Sequence, residues 1–480
     1  MSKNAEVSRP RPISNGMNGH NKIKTAILII GDYAVLYGAL LAALFLRYPQ
    51  GSEPAPIPQH YIPFAIIFAL WLVVFGSFGL YDLAFMKNGR RFLLRLLQAM
   101  GVNFILAILF FYLLPFFEIE PRRNLFLITA AGTIFIFAWR FLFNLFVTRA
   151  GVSRVIFLGL NREIVSLTDF LEKNPQLGQK PVALVSIDGG NASPLPLPAL
   201  SENRTIPRVA LSNNLASIVK NYSADTIVIT REIKENRTFV KMLFEVIPLG
   251  VSVVEFTSFH EMLTGKIPMS LIEELWFLEN LVGSRRRMYE FFKRMLDIAL
   301  SLMIGAPSLF LSFPIAAAIK LDSKGPILFR QKRVGRDGKS FRLIKFRSMV
   351  ENAEAIDGAK GGGPDMRHTR VGAFLRKNYL DELPQIINIL RGEMSFIGPR
   401  PERPEYVENL KKKIAFYEMR LLVQPGITGW AQIHMENDAS VEDAPEKMQY
   451  DLYYVKNRAF TLDLLIALKT AFTLLQRRGR

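Results

Sequence analysis

The chain contains no cysteine. Disulfide bonds, thiolate metal sites and cysteine nucleophiles are therefore excluded from any account of it. Acidic residues are also few: 42 Asp and Glu stand against 60 Lys and Arg, a net charge of +18. No small-residue cleavage site closes the first apolar run, which is too long for a signal peptide, so the polar stretch 1–20 reads as a disordered cytoplasmic tail. What the chain has in quantity is apolar surface: half of its 480 residues are hydrophobic and the mean hydropathy is +0.19. Apolar and basic together point to a membrane protein facing anionic lipid and phosphate ligands; a nucleic-acid binder would be more polar. The length suits about two to four domains of roughly 100–200 residues.

Four apolar runs, Thr25–Leu46, Tyr61–Leu80, Leu93–Phe117 and Leu125–Val147, occupy the first third of the chain. Each is near the roughly 20 residues that a helix needs to cross a ~30 Å hydrocarbon core. Lys22 and Lys24 precede the first run, Lys87, Arg90, Arg91 and Arg95 lie between the second and third, and Arg149 and Arg154 follow the fourth. The other connections are short and carry Glu53, Glu118 and Glu120 beside Arg47, Arg122 and Arg123. The positive-inside rule puts the N-terminus and everything after Arg149 in the cytoplasm. Asp32 and Arg140 fall within spans, where a charge marks either a functional site or a paired structural contact. Nothing else in these runs resembles an ion pathway.

From Arg154 short apolar runs alternate with helix-like segments. Strands are expected at Val155–Gly159, Val182–Ile187, Thr226–Thr230 and Val251–Glu255, with helices at Asn161–Asn174, Asn213–Lys220 and Phe239–Pro248. This alternation predicts a parallel, Rossmann-like α/β unit. A dinucleotide fingerprint needs three glycines after the first strand, and Gly159-Leu-Asn-Arg-Glu163 has one. The domain is therefore read as structural or regulatory, with room for an unusual nucleotide site.

A different segment opens at Glu290. Ile298–Lys320 is almost wholly apolar but contains Pro307 and Pro314, and basic residues stand at both ends. Proline inside a helix removes a hydrogen bond and crowds the preceding turn, so both prolines are candidate break points. A helix that dips into one leaflet and returns fits these flanks better than a fifth span or a buried soluble helix. A fifth span would strand the charged cluster that follows on the far side.

That cluster is Arg376-Lys-Asn-Tyr-Leu-Asp381-Glu382-Leu-Pro-Gln385, followed by Gly398-Pro-Arg400-Pro401. Adjacent carboxylates between arginines suit phosphate chemistry: a carboxylate near arginine stays ionised, with its pKa lowered by roughly 1–3 units, and can bind a divalent metal or attack phosphorus. The plainer alternative is a helix N-terminus, where acidic residues favour the dipole.

Six motifs now agree in order: Phe292-Lys-Arg-Met-Leu-Asp297, Gly325–Gly338, Lys345-Phe-Arg-Ser-Met349, Leu380–Gln385, Met394–Pro401 and Pro425–Gln432. Together they resemble the bacterial sugar transferases, the monotopic phosphoglycosyl transferases, over about Tyr289 to the C-terminus. The four spans and Rossmann-like unit resemble the long-form members, polyprenyl-phosphate hexose-1-phosphate transferases. The resemblance implies transfer of a sugar 1-phosphate from a UDP-sugar to undecaprenyl phosphate, giving UMP and an undecaprenyl-diphospho-sugar. That is the first membrane step of exopolysaccharide, capsule or O-antigen assembly. It implies Asp381 as the nucleophile, a covalent aspartyl intermediate, and Glu382 as the partner that helps hold Mg²⁺. Lys345, Arg376 and Arg400 match basic residues around the phosphates, with Arg347 close by. Glucose or galactose is the implied sugar, and the implied setting is the bacterial inner membrane with undecaprenyl phosphate, UDP-sugar and membrane lipid as partners. Nucleic acid is not among them.

The expected fold is a mixed membrane protein: a tail (1–20), a four-span helical bundle (21–150), a Rossmann-like α/β domain (151–265), a linker (266–288) and an α/β catalytic domain (289–480) with a re-entrant membrane helix over about 290–320. A homodimer through the membrane helices or the middle domain is compatible with this plan. Arg333–Gly338 reads as a hairpin turn, Gly426–Trp430 as a structural turn with Trp430 at a membrane or core edge, and Asp451 as structural. Leu462–Leu475 reads as an amphipathic helix ending in Arg477, Arg478 and Arg480. The chain departs from the family pattern at Phe310, where many members have Ser-Pro, at Gln424, where many are basic, and at His434-Met-Glu436-Asn437, where some carry Gly-Arg-Asn. Two other functions compete: a glycosyltransferase that would release UDP, and a membrane scaffold whose α/β domain senses a nucleotide.

Overall fold

The computed structural model describes residues 15–47, 57–81, 90–113, 122–149, 152–187, 206–211, 214–281, 286–350, 367–435 and 443–475. The connections carrying Glu53, Lys87, Glu118 and Glu120, the pair Glu436-Asn437 and the terminal arginines lie outside them, as does 1–14 of the expected tail. Two compact units divide at Thr264/Gly265.

The first unit opens with helices α1 (Asn15–Arg47), α2 (Ile57–Ser77), α3 (Arg90–Leu113) and α4 (Arg122–Arg149). They close into a bundle, with α1 against α2 and α4 and α3 against the same two. Leu36, Phe64, Phe68, Trp71 and Ile136 fill its interior, while Ile30, Ile62, Ile105 and Ile134 face outward. Apolar side chains on both sides of a bundle mark a surface meant for lipid. Three expected runs are long and apolar enough to cross a membrane, at Thr25–Leu46, Phe92–Tyr112 and Leu125–Leu145.

The second run is a shorter apolar helix, His60–Gly76. It stops because Gly79 takes a left-handed φ of 70° and the Phe78, Gly79 and Leu80 amides fold back onto the last helical carbonyls. The two intramembrane charges find each other. Arg140 Nη2 donates to Asp32 Oδ2 and Arg140 Nη1 to Leu80 O at 2.8 Å, so the pair also ties the end of α2 to α4.

A parallel sheet follows, with β1 (Ser153–Leu158), β2 (Gln179–Ser186), β3 (Arg208–Ala210), β4 (Thr226–Ile229) and β5 (Ser252–Glu255) in spatial order 3-2-1-4-5. Helices α5 (Arg162–Lys173), α6 (Leu215–Tyr222), α7 (Arg231–Glu235), α8 (Arg237–Val246) and α9 (Phe256–Thr264) connect the strands or follow them. Ile156, Leu158, Val185, Ile227 and Ile229 supply the strand side of a core closed by Ile218 and Val246. The four expected strands are present, and β3 adds a fifth in the chain between the second and third of them.

The second unit starts with α10 (Glu274–Leu281) and α11 (Arg286–Asp322). Residues of the expected linker 266–288 join this unit's core: Ile267, Ile272, Trp276 and Phe277 pack with Val407, Met448 and Leu452. Bulky apolar side chains in a connector had somewhere to be buried. α11 is a fourth helix long and apolar enough to cross a membrane. It remains helical through Pro307 and Pro314, so neither proline ends the element. Both leave a helical carbonyl without its donor, and the Ser308 and Ser312 hydroxyls bond back to Ile304 O and Ser308 O at 2.7 Å in the same turns.

α11 is held at both ends by one domain. Near its start, Arg294 donates to Ile389 O and Leu390 O, and Asp297 accepts from Ser395 Oγ at 3.1 Å. At its end, Asp322 accepts from Val371 N at 2.9 Å. Between these ties Leu302, Met303, Leu309, Phe310 and Phe313 are exposed.

The rest of the unit comprises β6 (Leu328–Val334), β7 (Ser340–Phe346), α12 (Arg370–Lys377), α13 (Gln385–Arg391), β8 (Ser395–Ile397), α14 (Pro404–Lys413), β9 (Gly426–Thr428), α15 (Ala444–Asn457) and α16 (Phe460–Leu475). β6 and β7 form the expected antiparallel hairpin, with Phe329 opposite Lys345. β8 and β9 are parallel, and their backbones nearly touch beyond Ile397: a Cβ on Gly398 would stand 2.2 Å from Gln424 O. Only glycine fits there.

Candidate active site

The Asp381-Glu382 pair sits at a reversal of chain direction. Thr369 caps α12, its Oγ1 accepting from Gly372 N at 2.9 Å. After α12, Tyr379 turns left-handed at φ 56°, and Leu380–Glu382 makes one 3₁₀ turn before Pro384 opens α13. The reversal carries Asp381 inward, where it is 6% exposed. α13 is stitched to β7 by Asn388, which accepts from Ile344 N at 3.1 Å and donates to Arg342 O at 2.8 Å. That stitch sets the carboxylates in register with Lys345, the next residue along β7.

Lys345 Nζ stands 2.5 Å from Glu382 Oε1, and Arg400 Nη2 lies 3.9 Å from the same oxygen. The two carboxyls respond differently. Burial pushes Glu382 up, but Lys345 and Arg400 outweigh it, and the group titrates below the ordinary carboxylate range. Burial pushes Asp381 up as well, the Glu382 charge adds to it, and Lys345 with Arg376 only partly offsets the shift. The sequence reading that arginine neighbours would lower Asp381 is thus corrected: desolvation wins over the cations there.

Arg400 projects from a turn that is held from several sides. Arg420 Nη2 donates to Arg400 O at 3.0 Å, Arg333 Nη1 to Pro401 O at 2.9 Å and Val334 N to Glu402 O at 2.9 Å. Lys447 bonds Glu402 at 2.7 Å, and Arg420 pairs with Asp451 at 2.7 Å in full burial. Arg333, Lys345, Gln385 and Arg400 line one pocket with Leu343, Pro401 and Gly426. Three cations and an amide face one space, a lining whose charge is complementary to a polyanion. Arg333 is the lining residue that sequence reasoning placed in a hairpin turn, and its β6 position opposite the Arg400 turn appears only in three dimensions.

Two of the expected phosphate-binding residues make contacts of their own within the protein. Arg347 is buried and donates through Nη2 to Ser323 O at 2.7 Å and Ser323 Oγ at 2.8 Å, at the end of α11. A helix C-terminus presents bare carbonyls, which draw a guanidinium strongly. Arg376 is exposed and its Nη1 meets His368 Nε2 at 2.8 Å, although its charge still reaches Asp381. Asp451 is structural, as expected. Trp430 sits in the core and donates to Gly265 O at 2.9 Å. Gln424 donates to Gly392 O at 2.8 Å, and His434 packs on Trp430 and Tyr450.

Among the described residues no cluster of three or more His, Cys, Asp or Glu side chains is poised for a metal. Asp381 and Glu382 nevertheless offer hard oxygen donors, and Glu382 is held ionised. Mg²⁺ ordinarily takes one or two carboxylates together with substrate phosphates, so the pair fits such an ion when a diphosphate accompanies it.

The site lies inside residues 288–477, which match the bacterial sugar transferase family. The chain is 31% identical over 337 residues to the UDP-glucose:undecaprenyl-phosphate glucose-1-phosphate transferase of Xanthomonas campestris pv. campestris, covering 68% of this chain and 67% of that protein. It is 42% identical over 229 residues to the UDP-N-acetylgalactosamine-undecaprenyl-phosphate N-acetylgalactosaminephosphotransferase of Aeromonas hydrophila, covering 47% of this chain and 52% of that protein. With the UDP-glucose:undecaprenyl-phosphate glucose-1-phosphate transferase of Escherichia coli K12 it shares 43% over 189 residues, 38% of this chain and 39% of that protein. The chain belongs to the bacterial sugar transferases. The aligned region spans about half the length of the Aeromonas relative.

Proposed function

We propose that this protein transfers a sugar 1-phosphate from a UDP-sugar to undecaprenyl phosphate. The observation that carries the reading is the buried Asp381 beside Glu382, which Lys345 holds at 2.5 Å and Arg400 approaches. Phosphoryl transfer needs positioning and charge neutralisation above all, and the cations Arg333, Lys345 and Arg400 around one pocket support that role. An Asp381 carboxylate oxygen attacks the sugar-bearing phosphorus. The bond from that phosphorus to the bridging oxygen breaks, and UMP leaves with the electron pair. An oxygen of undecaprenyl phosphate then attacks the same phosphorus, and the aspartyl carboxylate departs. Splitting the transfer in two lets UMP clear the site before the bulky lipid phosphate reacts. Mg²⁺, held by Asp381 and Glu382, would neutralise diphosphate oxygens.

The raised affinity of Asp381 for a proton bears on this role. A desolvated carboxylate is a stronger nucleophile than a hydrated one, and Lys345 and Arg376 offset part of the cost of its charge. The ties at both ends of α11 favour a helix that enters one leaflet and returns, because one α/β domain cannot hold its two ends on opposite membrane faces. The parallel order 3-2-1-4-5 supports the Rossmann-like reading of the middle domain. On this reading both α/β regions face the cytoplasm at the inner membrane, the product feeds exopolysaccharide, capsule or O-antigen assembly, and a homodimer remains compatible.

The names of the relatives widen the range of sugars from glucose and galactose to N-acetylgalactosamine. Purified protein with Mg²⁺, undecaprenyl phosphate and a panel of UDP-sugars should release UMP for one sugar, and Asp381→Asn should abolish the release. UDP as the product would move the protein to an ordinary glycosyltransferase. Normal function with Asp381→Asn would point to a scaffold.

A further inference from the structure

A small clasp leads into α12. Val350 N donates to Arg367 O at 2.9 Å, Met349 and His368 form an antiparallel bridge, and Thr369 N donates to Ser348 O at 3.3 Å. The clasp joins the residues just after Lys345–Arg347 to the start of the helix that carries Arg376. His368 stands in it with both ring nitrogens engaged. Nδ1 lies 3.2 Å from Ser348 O, and Nε2 lies 2.8 Å from Arg376 Nη1.

The partners decide the tautomer. A carbonyl oxygen only accepts, so Nδ1 carries the hydrogen; a guanidinium only donates, so Nε2 presents its lone pair. The two contacts demand the same neutral ring, and each would be lost in the other tautomer. Arg376 occupies the exposed last turn of α12, where a long side chain free of such an acceptor would populate several rotamers. Holding it in one removes part of the ordering cost from the moment an anion binds.

We propose that His368 is a positioning residue: its Nδ1–H imidazole, anchored on Ser348 O, holds the Arg376 guanidinium toward the phosphate that Asp381 attacks. The proposal rests on the reading of Asp381 as nucleophile. It assigns a role to a side chain that no motif in the sequence singles out.

The test uses full-length protein in lipid nanodiscs, with UMP release from the preferred UDP-sugar as the readout. His368→Asn keeps a donor for Ser348 O but loses the acceptor for Arg376, and kcat/KM should fall about tenfold, mainly through KM for the UDP-sugar. His368→Gln places an amide oxygen near the Nε2 position and should stay within about threefold of wild type. The double variant His368→Asn/Arg376→Gln should be no worse than Arg376→Gln alone, because one removes what the other holds. Additive losses would overturn the proposal, as would a His368→Gln enzyme as poor as His368→Asn. Full activity in Arg376→Gln with none in Asp381→Asn would also overturn it, while sparing the nucleophile. A wild type that releases no UMP sinks the nucleophile reading and the role of Arg376 with it. A nitrogen-15 spectrum of the five histidines, with His368 assigned by its loss in His368→Gln, reads the clamp without turnover. The Nδ1–H form supports the geometry, and the Nε2–H form overturns it.

Discussion

Lys345 Nζ and Glu382 Oε1 lie 2.5 Å apart although 37 residues separate them in the chain. The contact divides labour between neighbouring carboxyls. Glu382 is kept ionised by its cation, while Asp381, one residue earlier, stays buried with a proton affinity above the ordinary range. Lys345→Met removes the charge and keeps most of the stem. It should lower kcat/KM for UMP release by about 10²–10³-fold, the scale for losing one preorganised electrostatic partner. A variant within threefold of wild type would remove Lys345 from the phosphate site.

Asp381→Asn should abolish UMP release and stabilise the fold at the same time. A carboxyl whose folded pKa lies above its unfolded value binds its proton more tightly when folded. Stability from that group is present at low pH and lost as pH rises through the folded pKa. At pH 7.5, above the ordinary carboxylate value, burying this titrating group is therefore a cost that asparagine avoids, and the unfolding midpoint of Asp381→Asn should exceed that of wild type. Below the folded pKa the wild-type carboxyl is protonated and the two midpoints should converge. A lower midpoint for Asp381→Asn at pH 7.5 would contradict the burial argument.

What was legible in the sequence follows the range of the interactions involved. The apolar runs and alternating strands are local patterns, and the Asp381-Glu382 pair is contiguous, so both could be read directly. The end of α2 is hidden in the sequence because apolar residues continue to Leu80, and only the left-handed Gly79 shows where the helix stops. The contact of Arg347 with Ser323, 24 residues away, is not legible in the sequence because it forms at a helix end that sequence does not locate. The proton affinity of Asp381 escapes the sequence for the same reason, since its arginine neighbours are visible there and its burial is not.

The Arg420–Asp451 pair makes a third prediction, because Arg420 both neutralises Asp451 and holds the carbonyl of Arg400. Burial alone would pull Arg420 down, but Asp451 at 2.7 Å outweighs it and keeps the guanidinium charged. Asp451→Ala leaves that charge buried and unpaired, at a cost of about 3–5 kcal/mol. Replacing both residues, as Arg420→Met/Asp451→Leu, should recover most of the lost unfolding midpoint. UMP release should not recover with it, since the carbonyl of Arg400 has then lost its donor. A double variant restored in both stability and activity would show that Arg420 serves the core alone.

His434 should set the acid limit of the catalytic unit. Its Nδ1 lies 2.8 Å from Trp430 O and Nε2 lies 3.5 Å from Lys469 Nζ, so the ring is neutral, with its lone pair toward the lysine. Burial, then the charges of Lys469 and Lys266, push its pKa down to about 4. Above pH 6.5, the usual value for a free histidine, the ring is neutral in folded and unfolded chains and has no effect on stability. As pH falls from 6.5 toward 4 the unfolded chain takes up a proton that the folded one refuses, and stability is lost. Between pH 7.5 and 5 the loss should be on the order of 2 kcal/mol, as one pKa unit corresponds to about 1.4 kcal/mol. His434→Gln keeps a polar side chain without a titrating ring, so its unfolding midpoint should fall less over the same window. Parallel midpoint curves for the two proteins would mean that the folded core accepts the imidazolium, and that another group governs acid unfolding.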